Sequence, residues 1–286
     1  MPPADMPNKI ATLAHAKALE RLARRVETPC GAGAMVWHVW GEGPPVVLIH
    51  GGSGSWSHWV RSIGPLAASG RSVYVPDLPG CGDSAPPPQG HDGDALPPWI
   101  DRGVRALLGA TPFDLVGFSF GAMVSGFFAA DYPAQVRRLI LVGAPALSSA
   151  PMAKVALREW LPLPDGPERE AAMLFNLRAL MLARDESVDE LALTLYADAL
   201  KRDRLTKRRM AATDVLLRTM PRIACPVWGI WGAEDVLYHD RFDVVTQGIA
   251  RAPDFRSLAM IPRAGHWVQF EDADAFNPLL LAMLDE

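Results

Sequence analysis

Short runs of unbroken apolar residues recur along the chain, each closed by a glycine- or proline-bearing turn, with helical-period segments between them. Residues 34–40 (AMVWHVW) alternate weakly and predict an edge strand. Residues 46–49 (VVLI) have no polar break, the mark of a strand buried on both faces. The same reading places strands over 72–76, 113–116, 138–142, 227–231 and 256–261. Helices are expected over 99–108, 122–130 and 242–251, and after the last strand. Strands alternating with helices predict the α/β class, with a doubly wound, mostly parallel sheet. Such sheets bind ligands beyond the carboxyl ends of their strands.

Two stretches depart from the alternation. Residues 1–7 are proline-rich and read as loose, while 8–25 return Ile10, Leu13, Ala14, Ala18, Leu19 and Leu22 at helical spacing. Residues 1–33 are therefore expected to be an amphipathic N-terminal helical extension, lying on the domain or on a second copy in a homodimer. Its Lys17, Arg21, Arg24 and Arg25 are interrupted by Glu20 and Glu27 and follow no apolar core, unlike a targeting peptide. Residues 146–221 are rich in Leu, Met, Ala and Arg without a strand-like run, and suggest helices near 151–160, 168–183, 188–200 and 207–218. That is too much helix for one crossover. It predicts an inserted helical cap dividing the core into 34–145 and 222–286.

Composition narrows the function classes. The 286 residues suit one large domain with an insert rather than two independent domains. A formal net charge of −4 gives no basis for nucleic acid or an anionic membrane as partner. No run of about 18 apolar residues exists to span a bilayer. Cys30, Cys81 and Cys225 are odd in number and widely scattered, with neither metal-ligand nor disulfide spacing. They read as buried thiols of a cytoplasmic protein, and nothing in the sequence calls for a metal or an organic cofactor.

The candidate chemistry centres on Gly117-Phe118-Ser119-Phe120-Gly121, between the apolar run 113–116 and the small-residue segment 122–130. Strand, sharp turn and helix around G-x-S-x-G make a nucleophile elbow, in which glycines permit close backbone approach and the serine hydroxyl points outward. Serine needs a base to remove its proton, and histidine needs an anionic partner to fix its tautomer. Of the seven histidines, His266 follows the final strand through a glycine and is the best-placed base. His58 and His239 occupy loops on the same side, and His50 reads as a loop brace. Asp235, after the strand 227–231, is the expected acid, with Glu234 and Asp240 as alternatives; Asp77 reads as the pin of a turn. The loop His50-Gly51-Gly52-Ser53-Gly54 lacks the ending of a P-loop and the spacing of a dinucleotide fingerprint. It offers backbone N–H groups instead, so Gly52 and Phe120 are expected to form an oxyanion hole. Ser53 and Trp267 are candidates to touch substrate; the alternatives are a loop cap for Ser53 and a loop anchor for Trp267.

On these residues the chain resembles the α/β-hydrolase superfamily from about residue 34 onward, through VVLIHGGSGSW, VYVPDLPGCGDS, DLVGFSFG, WGAED and AGHWVQFEDADAFN. The order Ser119, Asp235, His266 is the one that resemblance implies, and the helical insert matches the family's cap. Ser119 sets the chain apart from the branches that carry aspartate there, the haloalkane dehalogenases and epoxide hydrolases. The run GHWVQFEDADAFN looks most like the meta-cleavage-product hydrolases, which cut carbon–carbon bonds in ring-fission dienones. Phe118 stands where those enzymes carry asparagine, and Arg178, Arg184 and Arg202 are the candidates for their cap arginine. The expectation is a serine hydrolase acting on a small, largely apolar ester or related acyl compound. The alternatives are a carbon–carbon bond hydrolase and a small-molecule receptor that retains the triad.

Overall fold

In the computed structural model, residues 10–150, 153–205 and 207–286 are described. Eight strands form one sheet in the order β1-β2-β4-β3-β5-β6-β7-β8. They are β1 Arg24–Cys30, β2 Gly33–Trp40, β3 Pro45–Ile49, β4 Ser72–Pro76, β5 Phe113–Phe118, β6 Val136–Val142, β7 Val227–Gly232 and β8 Phe255–Ile261. Only the β1–β2 and β2–β4 pairs are antiparallel; the remaining neighbours run parallel. Every residue of β3, β4, β5 and β7 is buried, as their unbroken apolar runs require.

Alternation along the strands divides the core. Val47, Ile49 and Leu115 face one apolar cluster, together with α3 (Pro97–Leu108) and α4 (Phe120–Asp131). Val46, Leu48, Val116 and Phe118 face the other, which packs on α2 (Ile63–Ala68) and α10 (Ala273–Asp285). Two further helices, α8 (Phe242–Ile249) and the short α9 (Val268–Glu271), flank the last strands. The carboxyl ends of β3, β5, β7 and β8 therefore open on one rim.

The expected N-terminal extension is corrected in part. A helix is present, α1 (Leu13–Arg21), but residues 24–30 leave it to form β1, paired from Arg24↔Val39 to Cys30↔Gly33. Thr28 and Cys30 point inward while charged neighbours face solvent, a pattern suited to an edge strand. Leu19 is fully buried and its carbonyl accepts the Trp40 Nε1–H, so the apolar face of α1 is covered by its own chain. The loose segment expected over 1–7 lies outside the described residues.

Between β6 and β7 the chain is helical, in α5 (Pro167–Asn176), α6 (Glu190–Lys201) and α7 (Val215–Thr219). A single π-turn, Leu177–Met181, extends α5. The helix expected over 151–160 is absent from residues 153–160, and positions 151 and 152 lie outside the described residues. Pro162 and Pro164 follow closely, and a short segment with no face to bury is marginal as a helix. The helix expected over 207–218 is reduced to a 3-10 turn, Arg209–Ala212, and α7.

Candidate active site

The turn after β5 holds Ser119 at φ 52° and ψ −124°, and its N–H donates to the Val142 carbonyl at 2.8 Å. This backbone conformation is costly for a residue with a Cβ, so the flanks must secure it. A Cβ at Gly121 would overlap the His50 carbonyl oxygen, and one at Gly117 would overlap Ser125 Oγ and Ala122 Cα. Glycine at both places lets α4 start directly against the ends of β3 and β5.

Three loops bring the expected side chains together. His266 Nδ1 lies 2.8 Å from Asp235 Oδ2, and its Nε2 lies 2.8 Å from Ser119 Oγ. The carboxylate can only accept, so Nδ1 carries the proton and Nε2 accepts the Ser119 hydroxyl. Asp235 and His266 are both buried, and the second Asp235 oxygen accepts the Leu237 N–H at 3.0 Å. Such a chain can deprotonate a hydroxyl and stabilise the imidazolium that results. The alternative acids are turned away: Glu234 and Asp240 lie 3.7 and 3.5 Å from the exposed His239.

Facing Ser119 is the loop after β3. Among the described residues, neither the Gly52 nor the Phe120 N–H has a hydrogen-bond acceptor. The Gly51 N–H, by contrast, donates to His58 Nδ1 at 3.1 Å. His50 braces the same loop, donating from Nδ1 to the Gly51 carbonyl at 2.7 Å and accepting the Leu78 N–H at 2.8 Å. Burial lowers the pKa of both histidines and takes His58 well below the ordinary range, with the neighbouring His50 and His266 adding to the effect. His58 is therefore neutral, with its proton on Nε2.

The cavity over Ser119 measures about 260 Å³ and is walled by Phe118, Phe120, Met181, Arg208, Leu237 and His266, among others. Ser53, at φ 48°, lines this cavity, and its hydroxyl donates to Asp203 Oδ2 at 2.7 Å. Trp267 is corrected: it is fully buried, stacks on Phe270 at 4.2 Å, and donates from Nε1 to the His58 carbonyl at 3.0 Å. It anchors the histidine loop and does not line the cavity.

The cation in the cavity is one that sequence reasoning missed. Arg178 pairs with Asp185, Arg184 lies against Glu271 and Asp272, and Arg202 spans Asp83 and Asp198. Arg208 is paired as well, donating from Nη2 to both Asp203 oxygens at 2.7 and 2.8 Å, but it alone of the four lines the cavity, with its guanidinium 5.4 Å from the Phe120 ring. Among the described residues, its buried Nε has no hydrogen-bond acceptor. Reading 207–218 as a regular helix hid the turn that aims this side chain inward.

Two other groups resolve into packing. His38, Asp77 and Asp83 bring ligand-type atoms within 4.8 Å of one another. Arg202 already holds Asp83 at 2.6 Å, and the two Asp77 oxygens accept the Trp56 and Asp83 N–H groups. Burial alone would raise the Asp77 pKa, but its hydrogen bonds and the nearby histidines outweigh burial and lower it. Asp77 is the pin of this turn. Burial raises the thiol pKa values, to about 12 for Cys81 and Cys225, so none is an activated thiolate.

A family model for the α/β-hydrolase fold matches residues 44–273, and the chain belongs to that superfamily; it is a hydrolase of this fold. Among curated relatives, a 2-hydroxy-6-oxo-6-phenylhexa-2,4-dienoate hydrolase of Burkholderia cepacia is 31% identical over 261 residues, covering 85% of this chain and 88% of its own. A 2-hydroxy-6-oxononadienedioate/2-hydroxy-6-oxononatrienedioate hydrolase of Comamonas testosteroni is 29% identical over 275 residues, with the same coverage of 85% and 88%. A solved carboxylesterase from Bacillus subtilis superposes with a TM-score of 0.75 at 18% identity over 95% of each chain, a likeness of fold. Among the described residues, no helix is long and apolar enough to cross a membrane.

Proposed function

We propose that the protein is a serine hydrolase that cleaves an acyl bond in a small, largely apolar substrate. The observation that carries this reading is the imidazole of His266, 2.8 Å from both the Ser119 hydroxyl and the Asp235 carboxylate. His266 Nε2 takes the Ser119 proton as Oγ attacks the carbonyl carbon. The Gly52 and Phe120 N–H groups, which have no other acceptor among the described residues, receive the oxyanion; losing one such donor typically costs about 2.7–4 kcal/mol in the transition state. The imidazolium protonates the leaving group, and water activated by the same nitrogen then releases the acid. Residues 146–221 act as the cap, supplying Leu180, Met181, Arg208 and Ala211 to the cavity.

The direct experiment is Ser119→Ala. Turnover should fall by at least about 10⁴-fold with the far-UV CD spectrum unchanged, and a fluorophosphonate should label the parent chain at Ser119 alone. A variant that keeps its activity removes this mechanism.

A second reading, hydrolysis of a carbon–carbon bond in a ring-fission dienone, is favoured by the names of the relatives and by Arg208. The 2-hydroxydienoate would first ketonise, its enol proton leaving and C5 gaining one. Ser119 would then attack the C6 ketone, the C5–C6 electron pair would leave as a conjugated dienolate that takes up a proton, and water would release the acyl group. Asp203 engages only Nη2 of Arg208, so the rest of this guanidinium, beside Phe120, is what would meet the carboxylate of such a substrate. Comparing kcat/KM for a p-nitrophenyl ester with that for a 2-hydroxy-6-oxo dienoate separates the two readings.

A further inference from the structure

Gly52, Ser53, Leu180 and Met181 form a wall shared by the Ser119 cavity and a second, larger cavity of about 550 Å³. The larger cavity lies between α5–α6 and the irregular strap 153–163. Trp160, Tyr196 and Leu200 line it, together with Leu157 and Leu161 of the strap. Apart from the Tyr196 hydroxyl, its polar side chains are engaged elsewhere or turned to solvent. The buried Asn176 accepts the Arg158 N–H at 2.7 Å and donates to the Arg158 carbonyl at 2.9 Å. Arg158 lays its guanidinium 4.0 Å from the Phe175 ring, and both it and Glu159 are solvent-exposed.

The strap itself carries an unresolved imbalance. Leu157 and Leu161 are 48% and 73% exposed, and they are the exposed large apolar side chains among the described residues. Polar pins hold the strap: Asn176 at Arg158, and Arg169 at the Leu161 and Leu163 carbonyls. Apolar side chains left open on a wall that continues to the nucleophile are what an unfilled substrate site presents.

We infer that this second cavity is a binding compartment for the non-reacting arm of the substrate, a medium-length alkyl chain passing beneath the strap while the acyl carbon sits at Ser119. The inference rests on the hydrolase reading and extends it, from a small apolar substrate to an elongated one. Buried methylenes each contribute to transition-state binding, so kcat/KM should climb by about 2- to 4-fold per added CH₂ until the compartment is full.

Two measurements test the compartment and the hydrolase reading separately. The first uses Ser119→Ala protein without turnover: 1-decanol should raise its Tm by several degrees, and the shift should vanish when Leu157→Asp and Leu161→Asp are added. Both leucines are exposed, so these changes leave the packed core alone. No shift in Ser119→Ala, or an equal shift with the two aspartates present, overturns the compartment. The second is a p-nitrophenyl ester series from acetate to decanoate on the otherwise unaltered chain. A rising kcat/KM, with a decanoate-to-acetate ratio at least 10-fold lower in Leu157→Asp/Leu161→Asp, assigns the arm to substrate. A flat series overturns that assignment. Failure to turn over any ester or dienone, with decanol stabilisation intact, sinks the hydrolase reading and leaves the compartment standing.

Discussion

Gly121 shows how closely single positions are specified around Ser119. Its missing Cβ is the space occupied by the His50 carbonyl oxygen, a backbone atom that cannot swing aside. Gly121→Ala should therefore push α4 away from the end of β3, destabilise the chain by about 1–3 kcal/mol, and lower kcat through a displaced Phe120 N–H. Urea unfolding together with single-turnover kinetics checks both effects; an unchanged kcat would mean the elbow tolerates the shift. Two buried histidines give a second residue-level expectation. His50 and His58 have lowered pKa values in the fold, whereas an unfolded histidine titrates near 6.5. Below about pH 6.5 the unfolded chain binds protons that the folded chain refuses, so stability falls with acidification, by up to about 1.4 kcal/mol per pH unit for each histidine. Urea midpoints between pH 7.5 and 5 should show the decline, with a shallower slope in His58→Gln. A flat parent profile would contradict the neutral, buried state of these rings.

At the scale of elements, the loop between β8 and α9 depends on a contact outside the triad. The buried carboxylate of Glu271 accepts the Gly265 N–H at 2.6 Å, the Ala183 N–H at 3.1 Å and the Arg184 N–H at 2.7 Å. The Trp267 N–H donates to the Met181 carbonyl at 2.7 Å, so the histidine loop is stitched to the end of the π-turn after α5. Glu271→Ala leaves three donors without that acceptor and should cost at least about 3 kcal/mol, with kcat falling more than KM rises. Glu271→Gln keeps one carbonyl oxygen and should fall between; equal kcat in all three proteins would show that the loop holds its own shape. Neither this stitch nor Arg208 was legible in the sequence, because both join segments far apart in the chain. The strands buried on both faces were legible, since continuous apolar runs such as 46–49 have no other soluble use. Ser119, Asp235 and His266 could be read because each closes a recognisable strand. β1 was hidden because an edge strand carrying Arg24, Arg25 and Glu27 has the composition of a solvated helix end. The strap was misread because Leu- and Ala-rich composition favours helix only where there is a face to bury.

Across the whole molecule, chemistry and anchoring occupy opposite ends of the same strand. β5 ends at the elbow, and its second residue is Asp114, a fully buried carboxylate about 17 Å from Ser119 at the usual strand rise. Arg137 donates to it through Nε at 2.9 Å and Nη2 at 2.6 Å, Arg138 at 3.1 Å and Arg71 at 3.3 Å. Arg71 also reaches the Leu284 carbonyl at 3.0 Å and the Asp285 carboxylate, tying the end of α10 to the start of β4. Three cations converge on one anion, so removing that anion costs more than a lost hydrogen bond: it leaves guanidinium groups facing each other with part of their solvation gone. Breaking a buried pair from one side typically costs about 3–5 kcal/mol, and Asp114→Ala should fall in that range, with Asp114→Asn less severe. The rim at the other end of β5 takes no contact from Asp114, so molecules that remain folded should keep the parent kcat. Urea unfolding and kcat measured at a temperature well below the variant's Tm test the two halves together. A loss under about 1 kcal/mol would show the cluster to be solvent-screened, and a depressed kcat in fully folded protein would show that strain at the base of the sheet reaches the elbow.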